Sequence, residues 1–360
     1  MNDMREIGAA ADMPASAFGF TGTWREFLPI AATNLLLTLV TLGIYRFWAK
    51  ARERRYLWSR TRFIDDHLEW TGTGKEMFVG FLLVMLGLLP IVLFFQFGLQ
   101  AMVARGEAGA AILIMLVIYG GFFYLLGVGQ FRALRYRLSR SWWHGIRGGA
   151  EARGWDYGRQ FVWKNAVAYM ILGFLVPWAQ TSLWNDRWNR MSFGRHRVEA
   201  AADTDGLFGR WFLVYLTPFL GALLGVIAML AIGMSGGSPL QSTIGAVLSF
   251  GAIFIAYQIA SIAYKAAFYR KVVEHTGFGG LSFAFTARSA DWLKLLLGNV
   301  ALVVCTLGLG LVFVGYRNWS FFVRHMEAAG EIDLDALLQS QASATGDAEG
   351  LADAFDIGAI

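Results

Sequence analysis

Residues 77–98 read MFVGFLLVMLGLLPIVLFFQFG, twenty-two positions without a charge. As a helix this run is about 33 Å long, enough to cross a hydrocarbon core of roughly 30 Å. The chain repeats the pattern. Six more blocks, 27–45, 108–131, 165–185, 211–234, 242–264 and 295–316, are equally free of charge. One such block could be a buried helix of a soluble protein, but seven in one chain exceed what a water-soluble core can hide.

Composition agrees. Of 360 residues, 56% are hydrophobic and 16% charged, against roughly 25% charged in soluble domains. Mean hydropathy is +0.47. The pI of 9.3 reflects Lys and Arg placed in loops beside apolar segments, as the positive-inside bias predicts, and no nucleic-acid partner is implied. Residues 1–17 lack the charged start and short apolar run of a signal peptide and are expected to be flexible. A single Cys305 excludes a disulfide framework. After Arg324 there is no Lys or Arg, while eight acidic residues follow from Glu327 to Asp356. Residues 327–360 therefore read as an acidic, largely disordered tail, with one short helix at 331–339.

Internal repeats organise the remainder, 18–326, into units 18–131, 136–268 and 270–326. Residues 18–26, FGFTGTWRE, return as LEWTGTGKE at 68–76. In each, alternating apolar residues make a short strand, and Thr-x-x-Glu caps the helix that follows. A longer unit, NLLLTLVTLGIYRFW at 34–48, returns as NVALVVCTLGLGLVFVGYRNW at 299–319, with Asn, Thr-Leu-Gly, Tyr-Arg and Trp matched across six extra residues. A weaker copy lies 130 positions after the first, at Leu172-Gly173 and Trp178-Ala179. Stretches 61–72, 141–154, 191–206 and 276–287 each read as strand, tight turn and returning strand. The plan is a hairpin and one apolar helix, then a hairpin and two apolar helices, repeated.

The motif TLGIYRFWAKARERRYLW at 41–58, with F-x-F-T-G-T-x-x-E before it, resembles the YjgN-like bacterial inner-membrane proteins, a domain of unknown function. The resemblance covers roughly residues 18–326. It departs where Pro177 replaces the Tyr-Arg step and in the acidic tail. It implies an inner-membrane location and supplies no activity.

Two rules conflict over topology. Loops 46–75 and 132–164 carry eight Lys and Arg each, and 187–210 and 265–294 five each; the turns at 99–107 and 235–241 carry one and none. Charge thus puts all four basic loops in the cytoplasm, which makes the single helices 27–45, 165–185 and 295–316 re-entrant or in-plane. Length would let each of them span, giving inverted three-helix units as in many transporters. We give the charge rule precedence.

The five histidines lie in separate loops, so no metal or cofactor is implied. Gly233-Met234-Ser235-Gly236-Gly237 matches G-x-S-x-G but follows an apolar helix, which argues against a nucleophile elbow and against an enzyme. As a helix, Tyr45, Trp48, Arg52, Arg55 and Tyr56 form an aromatic and cationic stripe. With Arg46, and with Arg317 and Trp319 in the later copy, they are the candidate site for anionic lipid or for an envelope protein partner. Passive anchoring at the headgroups is the plainer reading. Asn34, Asn165 and Asn299 are a candidate intramembrane polar site, with interhelical hydrogen bonding as its plainer reading.

The sequence thus predicts an all-α polytopic membrane protein, with about seven long apolar helices in repeats and short β-hairpins at the interface. Its expected role is a non-enzymatic membrane organiser or lipid-binding partner protein. The alternative is a carrier or channel for a neutral or lipid-like solute, built from inverted repeats.

Overall fold

The computed structural model describes residues 16–150, 152–234, 236 and 238–330. Strand β1 (Phe18–Phe20) leads through Thr21–Thr23 into α1 (Trp24–Val40), which turns at 41–45 into α2 (Arg46–Ser59). Strands β2 (Thr61–Phe63), β3 (Asp66–His67) and β4 (Glu69–Trp70) follow. The chain then rises through α3 (Gly74–Leu93), a π-helical turn (Phe94–Gly98) and α4 (Leu99–Ala104), and returns as α5 (Ala108–Arg140). The scheme repeats with β5 (Ser141–Trp143), β6 (Ile146–Gly149), α6 (Trp155–Met170), α7 (Val176–Trp188), β7 (Ser192–Phe193) and β8 (His196–Ala200). It continues with α8 (Phe208–Met234), α9 (Pro239–Glu274), β9 (Thr276–Phe278), β10 (Leu281–Phe285), α10 (Ser289–Cys305), α11 (Leu311–His325) and β11 (Met326–Ala329).

Every strand pairs antiparallel with its neighbours in chain order: β1-β2-β3 in one sheet and β4 through β11 in the other. The sheets join through continuous chain at Leu68, whose N–H reaches Thr61 O at 2.9 Å. At the far edge β11 lies alongside β1. The strands therefore form a nearly closed ring. Full closure removes sheet edges, which otherwise invite foreign strands. The expectation of an all-α protein is corrected accordingly, because hairpins separated by up to about 80 residues pair with one another.

Inside the ring six aromatic residues, one from each of six strands, make an unbroken circuit. Phe18–Phe63 centroids lie 4.6 Å apart, Phe63–Trp143 4.9 Å, Trp143–Phe193 6.0 Å, Phe193–Phe278 6.0 Å, Phe278–Phe283 5.7 Å and Phe283–Phe18 6.2 Å. These spacings are favourable for aromatic pairs. The ring interior is a packed core and not a pore.

All tight turns of the strands lie at one mouth of the ring. Ile64, His144, Gly145, Gly194, Gly279 and Gly280 adopt the positive φ that two-residue hairpin turns require. All helices leave from the other mouth. Each helical excursion begins and ends there, and in four of the five an acid at its start meets a base at its end. The pairs are Glu26–Arg60 and Glu76–Arg140 at 3.0 Å, Asp156–Arg190 at 4.0 Å and Asp203–Lys271 at 2.8 Å. This is what Thr-x-x-Glu does. Thr23 and Thr73 accept the N–H groups of Glu26 and Glu76 as helix caps. The reciprocal arm of a capping box is not made in the first copy. Thr23 N–H goes to Tyr56 Oη instead, and the Glu26 carboxylate takes Arg60 and, at 3.2 Å, the longer arm of a bond the Tyr56 hydroxyl shares with Thr23 O.

Among the described residues four helical stretches are long and apolar enough to cross a membrane: Gly74–Ala104, Ala108–Arg140, Phe208–Met234 and Leu240–Glu274. The expected seven are reduced to these, because each single segment breaks into two arms that pack against each other. At the breaks Leu42, Leu172 and Leu307 all sit at φ 51°, followed by Gly43, Gly173 and Gly308 at 92°, 82° and 92°. Two successive left-handed residues end a right-handed helix. The glycine N–H groups close the turn on Thr38 O, Ala168 O and Val303 O at 2.7, 3.0 and 2.8 Å. The threonines of Thr-Leu-Gly fasten it further. Thr41 Oγ1 donates to Leu37 O and accepts Tyr45 N–H, and Thr306 does the same with Leu302 and Gly310.

One further expectation changes. The acidic tail does not begin at 327, since Met326–Ala329 is a strand paired with β10. The short helix at 331–339, the remaining tail and residues 1–15 lie outside the described residues, as does Ser235 of the G-x-S-x-G match.

Candidate functional site: the polar locks of the helical hairpins

The three broken segments make three helical hairpins, α1/α2, α6/α7 and α10/α11. Their tips are apolar and bare: Leu42, Leu172 and Leu307 are 94%, 74% and 95% exposed. A leucine in the left-handed region costs about 1–2 kcal/mol. Bearing that strain three times to hold a leucine away from the protein makes sense where the surroundings are lipid.

Below each tip a polar lock joins the arms. In the first hairpin Arg52 Nη1 donates to Asn34 Oδ1 at 3.1 Å and to Tyr45 Oη at 3.2 Å, while Asn34 Nδ2 donates to Ala49 O. In the third, Arg317 Nε donates to Asn299 Oδ1 at 2.7 Å, and Asn299 Nδ2 donates to Asn318 Oδ1 at 2.9 Å. The two locks stand in the same register, 265 positions apart throughout. The expected six-residue insertion is therefore wrong: Arg317 corresponds to Arg52 and not to Arg46. In the middle hairpin, 130 positions on, the equivalents are Lys164 and Ser182. Here the cation has changed arms. Lys164 Nζ donates to Ser182 Oγ at 2.6 Å and is paired with Asp186. Asn165 sits one position off this register and donates to Phe161 O of its own helix.

The three asparagines thus bond within their own hairpins. The stripe also divides. Arg46 and Arg55 are exposed, with Arg46 over the Phe47 ring at 5.8 Å. Tyr45 stacks on Trp48 at 6.3 Å, and Trp48 meets Phe78 at 5.5 Å. Tyr56 is buried beneath the ring mouth, its hydroxyl donating to Thr23 O at 2.9 Å. Burial pushes this phenol up to about 12, so it stays protonated and able to donate. Trp319 belongs to the same core, stacked on Trp58 at 4.0 Å with its indole N–H on Thr61 Oγ1. Its neighbours, Trp58 of α2 and Thr61 of β2, come from the other end of the chain, which the local aromatic-cationic pattern does not announce. Lys164, Ser182 and Asp186 were missed as a lock, although the constant offset of 130 marks the first two.

Fold and locks together define a membrane-helix protein whose excursions all return to one stranded ring. The chain belongs to a bacterial family described as of unknown function, DUF898, which it matches over residues 15–354. It is 28% identical over 144 residues to the inner membrane protein YjgN of Escherichia coli O157:H7, covering 40% of this chain and 33% of that protein. To YjgN of Escherichia coli strain K12 it is 34% identical over 76 residues, 21% of this chain and 19% of the relative. To that of Salmonella typhimurium strain LT2 it is 31% identical over 83 residues, 23% and 21%. The matched stretches span a fifth to a third of the relatives' length. No solved structure matches the chain.

Proposed function

We propose that this is a non-enzymatic bacterial inner-membrane protein that organises the bilayer by inserting three apolar hairpin tips into one leaflet. The stranded ring lies on the cytoplasmic face, a reading the positive charge of the basic loops supports. Four long helices cross the bilayer and fix the ring to it. The broken hairpins, with arms of 13 to 17 residues, enter from the ring side and return to it. Their basic flanks gather anionic lipid, about 1 kcal/mol per cation near the surface.

The observation that carries this reading is the set of three strained, exposed leucines at equivalent tips. The carrier alternative needs its polar residues on one path between the hairpins. The asparagine bonds, each closed inside one hairpin, favour the organiser. The relatives' name, inner membrane protein, supports the location.

Insertion into one leaflet expands that leaflet and should bend it. Reconstituted at increasing density into phosphatidylethanolamine–phosphatidylglycerol vesicles, the parent protein should narrow them as seen by electron microscopy. The variant Leu42→Asp/Leu172→Asp/Leu307→Asp should leave their diameter unchanged. Equal effects of the two proteins would remove the wedge.

A further inference from the structure

In four excursions an acid and a base close the ring mouth, but in the fifth this closure is open. Its acid is Asp291 and its base His325, which do not meet within ion-pair distance among the described residues. Between them lies a cavity of about 410 Å³ bounded by α10 and α11. Cations line it: Lys294, Arg317 and Arg324, with His325 and a single carboxylate, Asp291. Asp291 is already engaged, accepting Arg288 N–H at 3.0 Å and lying 3.7 Å from Lys294 Nζ, whose largely exposed ammonium can turn to an anion in the cleft. That backbone bond is the main cause holding its carboxyl below the usual range, so it stays ionised and leaves the lining with net positive charge. Leu295 and Phe321 give the cavity an apolar side.

Two features indicate construction for an anion. Arg317 is fixed and not merely present: it lines the cavity with its Nε tied to Asn299 Oδ1. Its seat depends on Gly298, where a Cβ would lie 2.2 Å from Arg317 Nη2. His325 Nδ1 donates to Phe321 O at 2.8 Å, which directs Nε2 elsewhere. A fork of arginine donors with a lysine nearby matches a phosphate group.

We propose that the α10–α11 cleft binds a phosphate monoester or diester, with the headgroup of an anionic phospholipid as the occupant favoured by Leu295 and Phe321. The proposal deepens the organiser reading and rests on it for the membrane position of the cleft. The site requires Arg317 for orientation and Lys294 and Arg324 for charge.

The test uses the full chain in neutral detergent, titrated with phosphatidylglycerol, phosphatidylcholine, glycerol 3-phosphate and inorganic phosphate, and read by native mass spectrometry. The parent should prefer phosphatidylglycerol to phosphatidylcholine. Lys294→Gln/Arg324→Gln, both outside the packed core, should weaken phosphatidylglycerol at least tenfold with an unchanged melting temperature. Gly298→Ala should weaken it by displacing Arg317. Arg105→Gln, in the turn between the first two spanning stretches and outside the cleft lining, should bind as the parent does. Tight binding of glycerol 3-phosphate or inorganic phosphate would support the phosphate site and assign it to a soluble ligand. Equal phosphatidylglycerol affinity of the parent and the Lys294/Arg324 variant overturns the cleft. If Arg46→Gln/Arg55→Gln alone loses the lipid, the anionic contact lies on the first hairpin, and the organiser reading survives the loss of this one. Vesicle narrowing, read separately, reports on the wedge and not on the cleft.

Discussion

The Arg52 guanidinium donates to the Asn34 side-chain oxygen across the two arms of the first helical hairpin, at 3.1 Å. Arg52 lies six residues into α2, roughly 9 Å from its start. An arginine so near an apolar tip needs partners in place of water, and Asn34 and Tyr45 supply them. Asn34→Leu should therefore cost about 2 kcal/mol, the range for a bond to a charged group left unmade. Asn34→Leu/Arg52→Leu should recover part of that loss. Denaturation in detergent measures both beside Arg52→Leu; a double-variant loss equal to the sum of the two single losses would mean that the pair is not coupled.

The tips separate stability from membrane action. Leu307→Gly relieves a left-handed leucine and should stabilise the protein in detergent by about 1 kcal/mol. It removes an apolar group that has nothing of the protein around it, so no packing is lost. Melting curves of Leu307→Gly beside Leu302→Gly, a substitution within α10, check this: the first should rise and the second fall.

The aromatic circuit sets the stability of the ring. Trp143 is 1% exposed, contacts Phe63 and Phe193, and donates to Phe63 O at 3.1 Å. Trp143→Ala should cost about 3–5 kcal/mol, as for large-to-small changes in cores. Trp143→Phe should cost less, with the indole bond as the main loss. Chemical denaturation ranks the two, and a cost under 1 kcal/mol for the alanine variant would show that the circuit does not hold the strands.

Acid should loosen the turn mouth. His144 Nε2 and Asp65 Oδ1 lie 2.9 Å apart, joining two hairpin turns. That hydrogen bond is the largest cause holding the Asp65 carboxyl below its usual range. A carboxyl depressed in the folded state stabilises it above the unfolded pKa, and the contribution disappears as pH falls through the folded value. The contact should thus persist at neutral pH and fade below about pH 4, where an ordinary aspartate takes its proton. Both groups are well exposed, so the effect is small. Asp65→Asn should flatten the melting temperature between pH 5 and pH 3 relative to the parent.

Much of this organisation is legible in the residues. Gly and Asp in the hairpin stretches mark the turns, the recurrence of Thr-Gly-Thr-x-x-Glu marks where excursions begin, and loop charge favours hairpins that return to one face. The breaks at Leu42, Leu172 and Leu307 are harder to see. They are made by backbone conformation inside an unbroken apolar run, and a twenty-residue hydropathy window is blind to φ. Thr-Leu-Gly is the signal, but leucine is an unusual residue for that conformation. Tyr-Arg at 45–46 and 316–317 misled the register, because a local letter match competed with the true anchor at the turn. Tyr56 and Trp319 read as interfacial for a related reason: what buries them is a core shared by α1, α2, α3, α5 and α11, helices far apart in sequence.

The central claim is that each broken segment enters and leaves on the ring side. Single cysteines in a Cys305→Ser background at His67, Arg195 and Arg105, all exposed, test it through labelling of intact cells with a membrane-impermeant maleimide. Arg105 joins the first two spanning stretches, whereas His67 and Arg195 sit on the ring either side of α6/α7. The account predicts labelling from outside at Arg105 alone, with His67 and Arg195 labelled only after the membrane is opened. Labelling of Arg195 but not His67 in intact cells would mean that the middle hairpin crosses the bilayer, and would contradict the account.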